Sequence, residues 1–465
     1  MGLFENMKLK KDGLVKETET TQTSDSNSNS MIPSLVMMND GVNICATACA
    51  SCWDTKLPDT YEERAKYIGR RTKTGHTSVI EHSNVVFYLY VPSNRMEDLI
   101  EFLDLKNYLH SVVKKSKIHD GFHMLIGGSW RAFSDLYLNC VSIDDNRVLS
   151  AITSGVLNYI PSDGMRDIID AGILKEDDFL NLDTSTISTR YALESNHRLD
   201  EDINIVNCDD YYQLIADITS VCDEAYLFTC KDLLKFCTVT VEFNNMSRII
   251  TQQLTRHRNG ITQESQRYVD YSGAKFNSPA KFKPDKYNAK RLYEFKFGGN
   301  TYKMNLQNIG DAIAKIYEQL KDKSKYGTEA LVSEDARGYL PQNVQCGKIY
   351  MTFNFYSLIK FLQLREDSHA QVEIRSYATR IGDIFRNDVF FTLGDKKEDL
   401  YSALIPNIIG MNDEVRKPIF MPIIEQKGTV IQTDKNEVAE PISEDELEKI
   451  YENNIKMEDA EENKE

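Results

Sequence analysis

An α+β fold is predicted for this chain of 465 residues, because strand and helix periodicities both occur along it. Residues 238–243 (TVTVEF) alternate as a β-strand does, and residues 84–91 and 348–354 also have strand character. Apolar residues recur at helical spacing in 306–321 and 357–385. A chain of this length can bury one large core or two domains.

We expect the folded part of the chain to begin near Ser34. Residues 1–33 are polar and rich in Ser, Thr, Asn and Lys, which is typical of a disordered leader. Thr60 and Glu63 then have the spacing of a capping box, which predicts a helix that runs to about Arg71.

The charge of the chain limits its partners. The formal net charge of −16 and the pI near 5.1 disfavour general binding to nucleic acid. Residues 431–465 read as a disordered acidic tail. No apolar run reaches the ~18 residues of a transmembrane helix, and the N-terminus lacks the apolar core of a signal peptide. We therefore expect a cytoplasmic protein with no membrane partner.

The nine cysteines have no regular spacing. Cys49 and Cys52 form one C-x-x-C pattern, with Cys45 nearby, but no second pair follows it. A structural zinc site needs four ligands. We expect reduced thiols and no metal.

Residues 253–268 (QLTRHRNGITQESQRY) concentrate basic, amide and hydroxyl side chains in a stretch that can contribute little to a core. Residues 246–254 are apolar at helical spacing, so Gln253, Arg256 and His257 are expected on one helix face. Arginine forks match phosphate oxygens, which suggests a phosphorylated, planar ligand. The alternative is a solvated basic loop or a cluster of salt bridges at a helix end.

Two further segments carry polar patterns. In G-H-T-S-V-I-E-H at 75–82, the histidines are six residues apart, which is not the spacing of a helical zinc pair, and the alternative is a structural histidine. On the helix predicted at 357–385, Arg365, His369 and Glu373 would form one polar stripe beside an apolar face, as a pocket wall requires. The alternative there is a surface pairing.

Together these motifs resemble the signature of the flavin-dependent thymidylate synthases. R-H-R followed by S-x-R-Y, G-H-x-S-x-x-E-H before a strand, A-R-x-x-L-P at 336–341 and L-R-x-D-S-H-A-Q-x-E-I at 364–374 occur in the family's order. One departure is a loop of six residues, not seven, between Arg258 and Ser265. The resemblance implies a curved, mainly antiparallel sheet flanked by helices, and a homotetramer with sites between subunits.

The resemblance also implies a reaction. In it dUMP, methylenetetrahydrofolate and NADPH give dTMP, tetrahydrofolate and NADP through FAD. It assigns Arg365 a catalytic role on the uracil ring. The residues implied for dUMP are Gln253, Arg256, Glu264, Ser265, Arg267, Arg337 and Arg365. The residues implied for FAD are His76, Ser78, Arg256, His257, Arg258, Glu264, Asn354 and His369.

Two positions depart from the family near the flavin. The family often has Arg and Asn after the strand Asn, where this chain has Tyr356 and Lys360. Contacts to the adenine or phosphates of FAD are then expected to differ or to come from elsewhere in the chain.

Residues 92–237 have no counterpart in that pattern, and they predict a large, mostly helical insertion. The family domain would then comprise 34–91 and 238–430. Within the insertion, 124–137 has a strand-turn-helix pattern that echoes 351–364, so a partial internal duplication is one interpretation. A family-specific elaboration is the other.

Three competing functions remain at this level. A cysteine-dependent thymidylate synthase attacks with a Cys that follows a Pro, and none of the eleven prolines precedes a cysteine. A non-catalytic protein that binds nucleotide or flavin on the same scaffold would bind without turnover. A nucleic-acid binder would use the R-H-R cluster, and its binding would fall steeply with salt.

Overall fold

The computed structural model describes residues 31–106, 108–138, 146–156, 197–198, 201–257 and 260–387. Two antiparallel sheets organise these residues, one of four strands in the order β1-β2-β4-β3 and one of five in the order β5-β6-β7-β11-β8. A separate hairpin pairs β9 with β10. The strands are β1 (Ser34–Met38), β2 (Val85–Pro92), β3 (His110–Lys115), β4 (Gly121–Gly128), β5 (His197–Arg198), β6 (Ile203–Cys208), β7 (Thr238–Phe243), β8 (Gly260–Gln263), β9 (Tyr293–Phe297), β10 (Asn300–Met304) and β11 (Ile349–Asn354).

Helices flank both sheets. They are α1 (Gly41–Cys52), α2 (Tyr61–Lys73), α3 (Met96–Leu105), α4 (Trp130–Leu138), α5 (Arg147–Val156), α6 (Tyr211–Val221), α7 (Cys230–Leu233), α8 (Arg248–Leu254), α9 (Pro279–Phe282), α10 (Leu306–Leu320), α11 (Lys323–Tyr326), α12 (Ser333–Ala336), α13 (Phe355–Glu366) and α14 (Val372–Asn387). No helix in the described part of the chain is long and apolar enough to cross a membrane.

The predicted α+β class is confirmed, and several elements match their predictions closely. β7 has the predicted bounds. All six of its residues are buried, and the alternating β-branched side chains suit a central strand. The capping box of α2 is formed by Thr60 and Glu63 as predicted. The predicted strand-turn-helix at 124–137 is β4 followed by α4.

The described part of 92–237 mixes helices with strands, whereas a mostly helical insertion was expected. β3 and β4 pair with each other, and β4 also pairs with β2. β6 pairs with β7 and extends the second sheet. These strands therefore complete the two sheets. The leader was expected over 1–33 and the acidic tail over 431–465. Apart from 31–33, both lie outside the described residues, as do 388–430 of the predicted family domain and 157–196 of the predicted insertion.

The single long helix predicted at 357–385 is wrong. α13 ends at Glu366 and α14 begins at Val372. The backbone at Asp367 leaves the helical region, with φ −54° and ψ 144°. Its carboxylate accepts from the backbone amide of His369 over 2.7 Å, which stabilises the break. Glu373 is consequently buried while His369 is exposed, so the predicted polar stripe does not form.

Candidate active site

The R-H-R segment lies where α8 ends. The helix stops at Leu254, one turn earlier than predicted, and a 3₁₀ turn at Thr255–His257 carries Arg256 and His257. Buried Glu373 fixes the start of α8, because its carboxylate accepts from the amide and the hydroxyl of Ser247 over 2.7 and 2.8 Å. Arg258 lies outside the described residues.

Arg365, at the end of α13, meets the R-H-R segment. Its Nε donates to Nε2 of His257 over 3.1 Å, and its Nη1 lies 3.5 Å from Oε1 of Gln253. Nε2 of Gln253 in turn donates to Oε1 of Gln371 over 2.6 Å. The three predicted residues therefore form one cluster, and Gln371 joins it.

Among the described residues, no carboxylate pairs with Arg256 or Arg365. Arg256 is exposed and makes no hydrogen bond or ion pair with a described residue. Burial and the neighbouring Arg256 lower the pKa of Arg365. Burial and Arg365 lower the pKa of His257 to about 4, so its imidazole is neutral at neutral pH. Two close guanidinium groups beside a neutral histidine favour an anionic ligand.

A second group of predicted residues surrounds Glu334. Nε of Arg267 lies 2.7 Å from Oε1 of this carboxylate, and Nη2 donates to Oε2 over 3.2 Å. Nε of Arg337 donates to the backbone carbonyl of Glu334 over 3.1 Å. Ser265 is adjacent, because its Oγ accepts from the amide of Arg267 over 3.3 Å. An anion bound to Arg267 would replace the Glu334 carboxylate.

The 75–82 motif reaches the same loop through α1. The amide of Ser265 donates to the carbonyl of Cys52 over 3.0 Å. Trp53 follows, and its ring meets the His76 ring edge to face with centroids 4.7 Å apart. Burial and the nearby Asp54 carboxylate raise the pKa of Glu264. The structure thus brings His76 close to the loop that carries Glu264 and Ser265.

Asn354 caps α13 and borders a cavity. Its Oδ1 accepts from the amide of Ser357 over 2.7 Å, and its Nδ2 lies 3.0 Å from Nε2 of His110. The cavity has a volume of about 730 Å³. His369 and Ser78, by contrast, are exposed, and no contact in the described part of the chain joins them to the clusters above.

Some residues of these clusters were not predicted. Gln371 lies within the H-A-Q pattern and was read only as part of the motif. Glu334 and His110 stand outside every motif, so no sequence signal identified them. Their positions depend on tertiary contacts between elements far apart in the chain.

One group of side chains has the composition of a metal site, although no metal was predicted. His123, Cys222 and Asp223 have potential ligand atoms within 4.8 Å of one another. The ring of His123 is already engaged at both nitrogens, with Tyr88 at 2.8 Å and with Glu224 at 2.9 Å. We interpret this group as a buried polar network.

Fold and site together define an α+β protein with a cluster of arginines at the ends of two helices, whose charge suits an anion. Comparison with known proteins agrees. Residues 185–389 match the family model described as "Thymidylate synthase complementing protein". The flavin-dependent thymidylate synthase of Thermosipho melanesiensis is 32% identical over 167 residues, which cover 35% of this chain and 69% of that protein. The chain belongs to the flavin-dependent thymidylate synthase family.

Other relatives carry the same description. The flavin-dependent thymidylate synthase of Kosmotoga olearia is 32% identical over 139 residues, which cover 30% of this chain and 58% of that protein. That of Pyrococcus abyssi is 33% identical over 156 residues, which cover 32% of this chain and 55% of that protein. This chain therefore spans between about half and somewhat over two thirds of the length of these relatives.

Proposed function

We propose that this protein converts dUMP to dTMP by reductive methylation. Methylenetetrahydrofolate provides the carbon, and FAD reduced by NADPH provides the hydride. The observation that carries this proposal is the placement of Arg365 between His257 and Gln253, with Arg256 nearby and no carboxylate of the described residues paired to either arginine. The relatives are described as flavin-dependent thymidylate synthases, which supports the proposal.

Arg365 is the residue we assign to the reaction itself. Its guanidinium donates to the uracil ring and stabilises the negative charge that develops as the ring is activated. Neutral His257 accepts from its Nε and fixes the plane of the guanidinium, which leaves other N–H groups for the substrate. Gln253 positions the same group through its amide oxygen.

The phosphate of dUMP is assigned to the second cluster. Arg267 contacts the side-chain carboxylate of Glu334 and Arg337 contacts its backbone carbonyl, and we assign both guanidinium groups to one anion. Arginine binds phosphate through paired N–H donors. Ser265 completes this subsite, with Glu264 and Arg256 between substrate and cofactor.

We read Ser265 as a binding residue and not as a nucleophile. Serine attacks only when an adjacent base takes its proton. Oγ of Ser265 contacts the amide of Arg267, which is a donor and not a base. The reaction that we propose needs no protein nucleophile.

The residues present fit a flavin dinucleotide. The 730 Å³ cavity beside Asn354 is lined by Lys106, Arg131 and Lys235 among others, which suits the phosphates of such a molecule. The residues that would hold FAD are His76, Ser78, Arg256, His257, Arg258, Glu264, Asn354 and His369. When bound, the flavin supplies the hydride transfer that side chains cannot perform.

We further propose a homotetramer and a cytoplasmic location. Ser78 and His369 are exposed and lie apart from the clusters, which suits sites completed by a second subunit. NADPH and the folate are assigned as co-substrates, and no nucleic acid or membrane partner is expected.

The test is an anaerobic incubation of the protein with FAD, NADPH, methylenetetrahydrofolate and dUMP. We expect dTMP by mass spectrometry, and its formation should stop when FAD is removed. Flavin binding that responds to dUMP without product would contradict the proposal and favour the non-catalytic nucleotide- or flavin-binding alternative.

A further inference from the structure

The two sheets repeat one pattern of connections. In the first, β1, β2, β3 and β4 follow in the chain and are ordered β1-β2-β4-β3 in space. In the second, β6, β7, β8 and β11 are ordered β6-β7-β11-β8. A helix follows the first strand of each set and another follows the last. We call residues 34–138 the N-terminal unit and residues 203–366 the C-terminal unit.

The strand registers of the two units coincide. Met38 pairs with Val85 in one unit, and Cys208 pairs with Val239 in the other. The register of the first strand shifts at the same distance from this pair in each unit. The shift lies between Leu35 and Met37 in the N-terminal unit and between Ile205 and Asn207 in the C-terminal unit. The third and fourth strands also keep register, with His110 opposite Gly127 and Gly260 opposite Thr352.

Equivalent hydrogen bonds follow the first strand of each unit. The amide of Asn84 donates to Oδ1 of Asn39, and the amide of Thr238 donates to Oδ2 of Asp209, both over 2.8 Å. The amides of Asn39 and Asp209 donate back to Asn84 and Thr238. Nδ2 of Asn84 also donates to Oδ2 of Asp209 over 3.0 Å, which joins the units. Agreement in order, register, bulge and capping is more than a shared fold class would produce.

The cavity beside Asn354 lies between the two units. Both members of several equivalent pairs line it. The pairs are Asn84 with Thr238, Ser129 with Asn354, Glu81 with Lys235, and His110 with Gly260.

We propose that the chain is an internal duplication and that the cavity between its units is a composite site for the phosphates of a flavin dinucleotide, with Lys106 of the N-terminal unit and Lys235 of the C-terminal unit as ligands. This inference rests on the proposed function, which names the cofactor.

Charge distinguishes the two sides of the cavity. In the N-terminal unit, Glu81 pairs with Arg131, with Oε1 and Nη1 2.9 Å apart. The equivalent positions in the C-terminal unit are Lys235 and Tyr356, so the carboxylate is replaced by an ammonium group. Lys235 forms no hydrogen bond or ion pair with a described residue.

Lys106 adds a second unbalanced charge. Its Nζ donates only to the carbonyl of Leu109, over 3.4 Å, among the described residues. Burial and the nearby Lys235 lower the pKa of Lys106, and both lysines line the same cavity. Glu81 and Asp135 also line the cavity, but both pair with Arg131, so the two lysines are left to bind an anion such as a diphosphate.

The cavity lining also includes Gly260, two residues after Arg258 of the R-H-R segment. Gly260 begins β8 just after that segment. A Cβ added to Gly260 would lie 2.8 Å from the carbonyl oxygen of Glu81, so only glycine allows this contact between the units. A dinucleotide in the cavity would therefore lie against the strand that follows the R-H-R segment.

The experiment measures FAD affinity by flavin fluorescence for the wild type, Lys106→Gln, Lys235→Gln and the control Lys115→Gln. Lys115 is an exposed lysine of β3 that does not line the cavity. We expect each cavity variant to weaken FAD binding about tenfold or more, as the loss of a charge-assisted hydrogen bond predicts. The control should bind as the wild type does. Riboflavin, which lacks phosphate, should bind all four proteins alike.

The outcomes separate this inference from the proposed function. Equal FAD affinity in the cavity variants and the control would overturn the inference, even if dTMP is formed. A selective loss of FAD affinity without dTMP formation in the wild type would support the inference and contradict the proposed function. The inference would also be overturned if the wild type bound neither FAD nor inorganic pyrophosphate.

Discussion

Arg365 donates from Nε to Nε2 of His257 over 3.1 Å, although the two residues lie on different helical segments of the C-terminal unit. The acceptor must be a neutral imidazole with its proton on Nδ1. The pKa of His257, lowered to about 4 by burial and by Arg365, keeps it neutral at neutral pH. The pair therefore holds the guanidinium in place without neutralising its charge.

The first prediction concerns Arg365→Lys. The variant keeps a positive charge but loses the planar fork that His257 and Gln253 orient. We expect turnover of dUMP to fall at least about 100-fold, which corresponds to ~2.7 kcal/mol, a loss of the size seen when one donor to a developing negative charge is removed. The measurement is the rate of dTMP formation at saturating substrates.

A control variant tests whether such an effect is local. Arg70→Ala removes an exposed arginine of α2 that makes no contact with the clusters in the described part of the chain. It should leave the rate and the melting temperature unchanged. Near-normal turnover by Arg365→Lys would show that the oriented guanidinium is not needed.

The second prediction concerns the protonation of His257. Removal of the Arg365 charge in Arg365→Met leaves the burial but removes the repulsion that disfavours imidazolium. The pKa of His257 should therefore rise from about 4 towards the ordinary value of histidine. An NMR titration of the ring would measure the change, and a pKa that falls or stays constant would contradict the pairing.

The third prediction concerns Glu334, whose carboxylate occupies Arg267. In Glu334→Gln this competition is removed, so the phosphate of dUMP should bind several-fold more tightly. Deoxyuridine, which has no phosphate, should bind with unchanged affinity. Calorimetric titration with dUMP and with deoxyuridine measures the two affinities in the wild type and in Glu334→Gln. An equal change for the two ligands would mean that Glu334 acts on the shape of the site and not on the phosphate.

The fourth prediction concerns Ser265→Ala. We expect weaker dUMP binding with detectable dTMP formation, because Oγ has only the amide of Arg267 as a described partner and no base to activate it. Steady-state kinetics should show the loss mainly in KM. Complete loss of turnover at unchanged dUMP affinity would restore a nucleophilic role for the serine.

Local patterns predicted the elements whose own residues determine them. β7 alternates over its whole length, and the cap of α2 needs only Thr60 and Glu63. The motif around Arg365 lies within one short stretch of sequence, so the sequence identified this arginine, which contacts the R-H-R segment, as a site residue. Its partners could be predicted only because the resemblance placed the two motifs in one site.

Two features were harder to predict from the sequence. They are the break after α13 and the repetition of the C-terminal unit's fold by the N-terminal unit. Apolar residues keep their helical spacing through the break between α13 and α14. The break depends on the side chain of Asp367, because an aspartate can either accept from a nearby backbone amide and end a helix or lie on a helix surface. The duplication is visible in strand order and register, but equivalent positions such as Glu81 and Lys235 differ in charge. A single sequence therefore revealed only the echo between 124–137 and 351–364.

The last prediction concerns His82 and the stability of the fold. This histidine ends the 75–82 motif, is fully buried, and bonds Thr352 through Nδ1 and Thr262 through Nε2, both at 2.8 Å. Burial lowers its pKa to about 3, whereas an unfolded histidine titrates near ~6.5. Between these values the unfolded state binds the extra proton, so the free energy of unfolding falls as pH decreases below ~6.5 and is unaffected above it. The slope due to this residue is at most about 1.4 kcal/mol per pH unit.

Urea unfolding of the wild type and of His82→Gln between pH 5 and pH 7.5 should show the difference, with the variant less stable at pH 7.5 but less sensitive to acid. Parallel pH profiles would show that His82 is protonated in the folded protein and that the two threonines do not require a neutral ring.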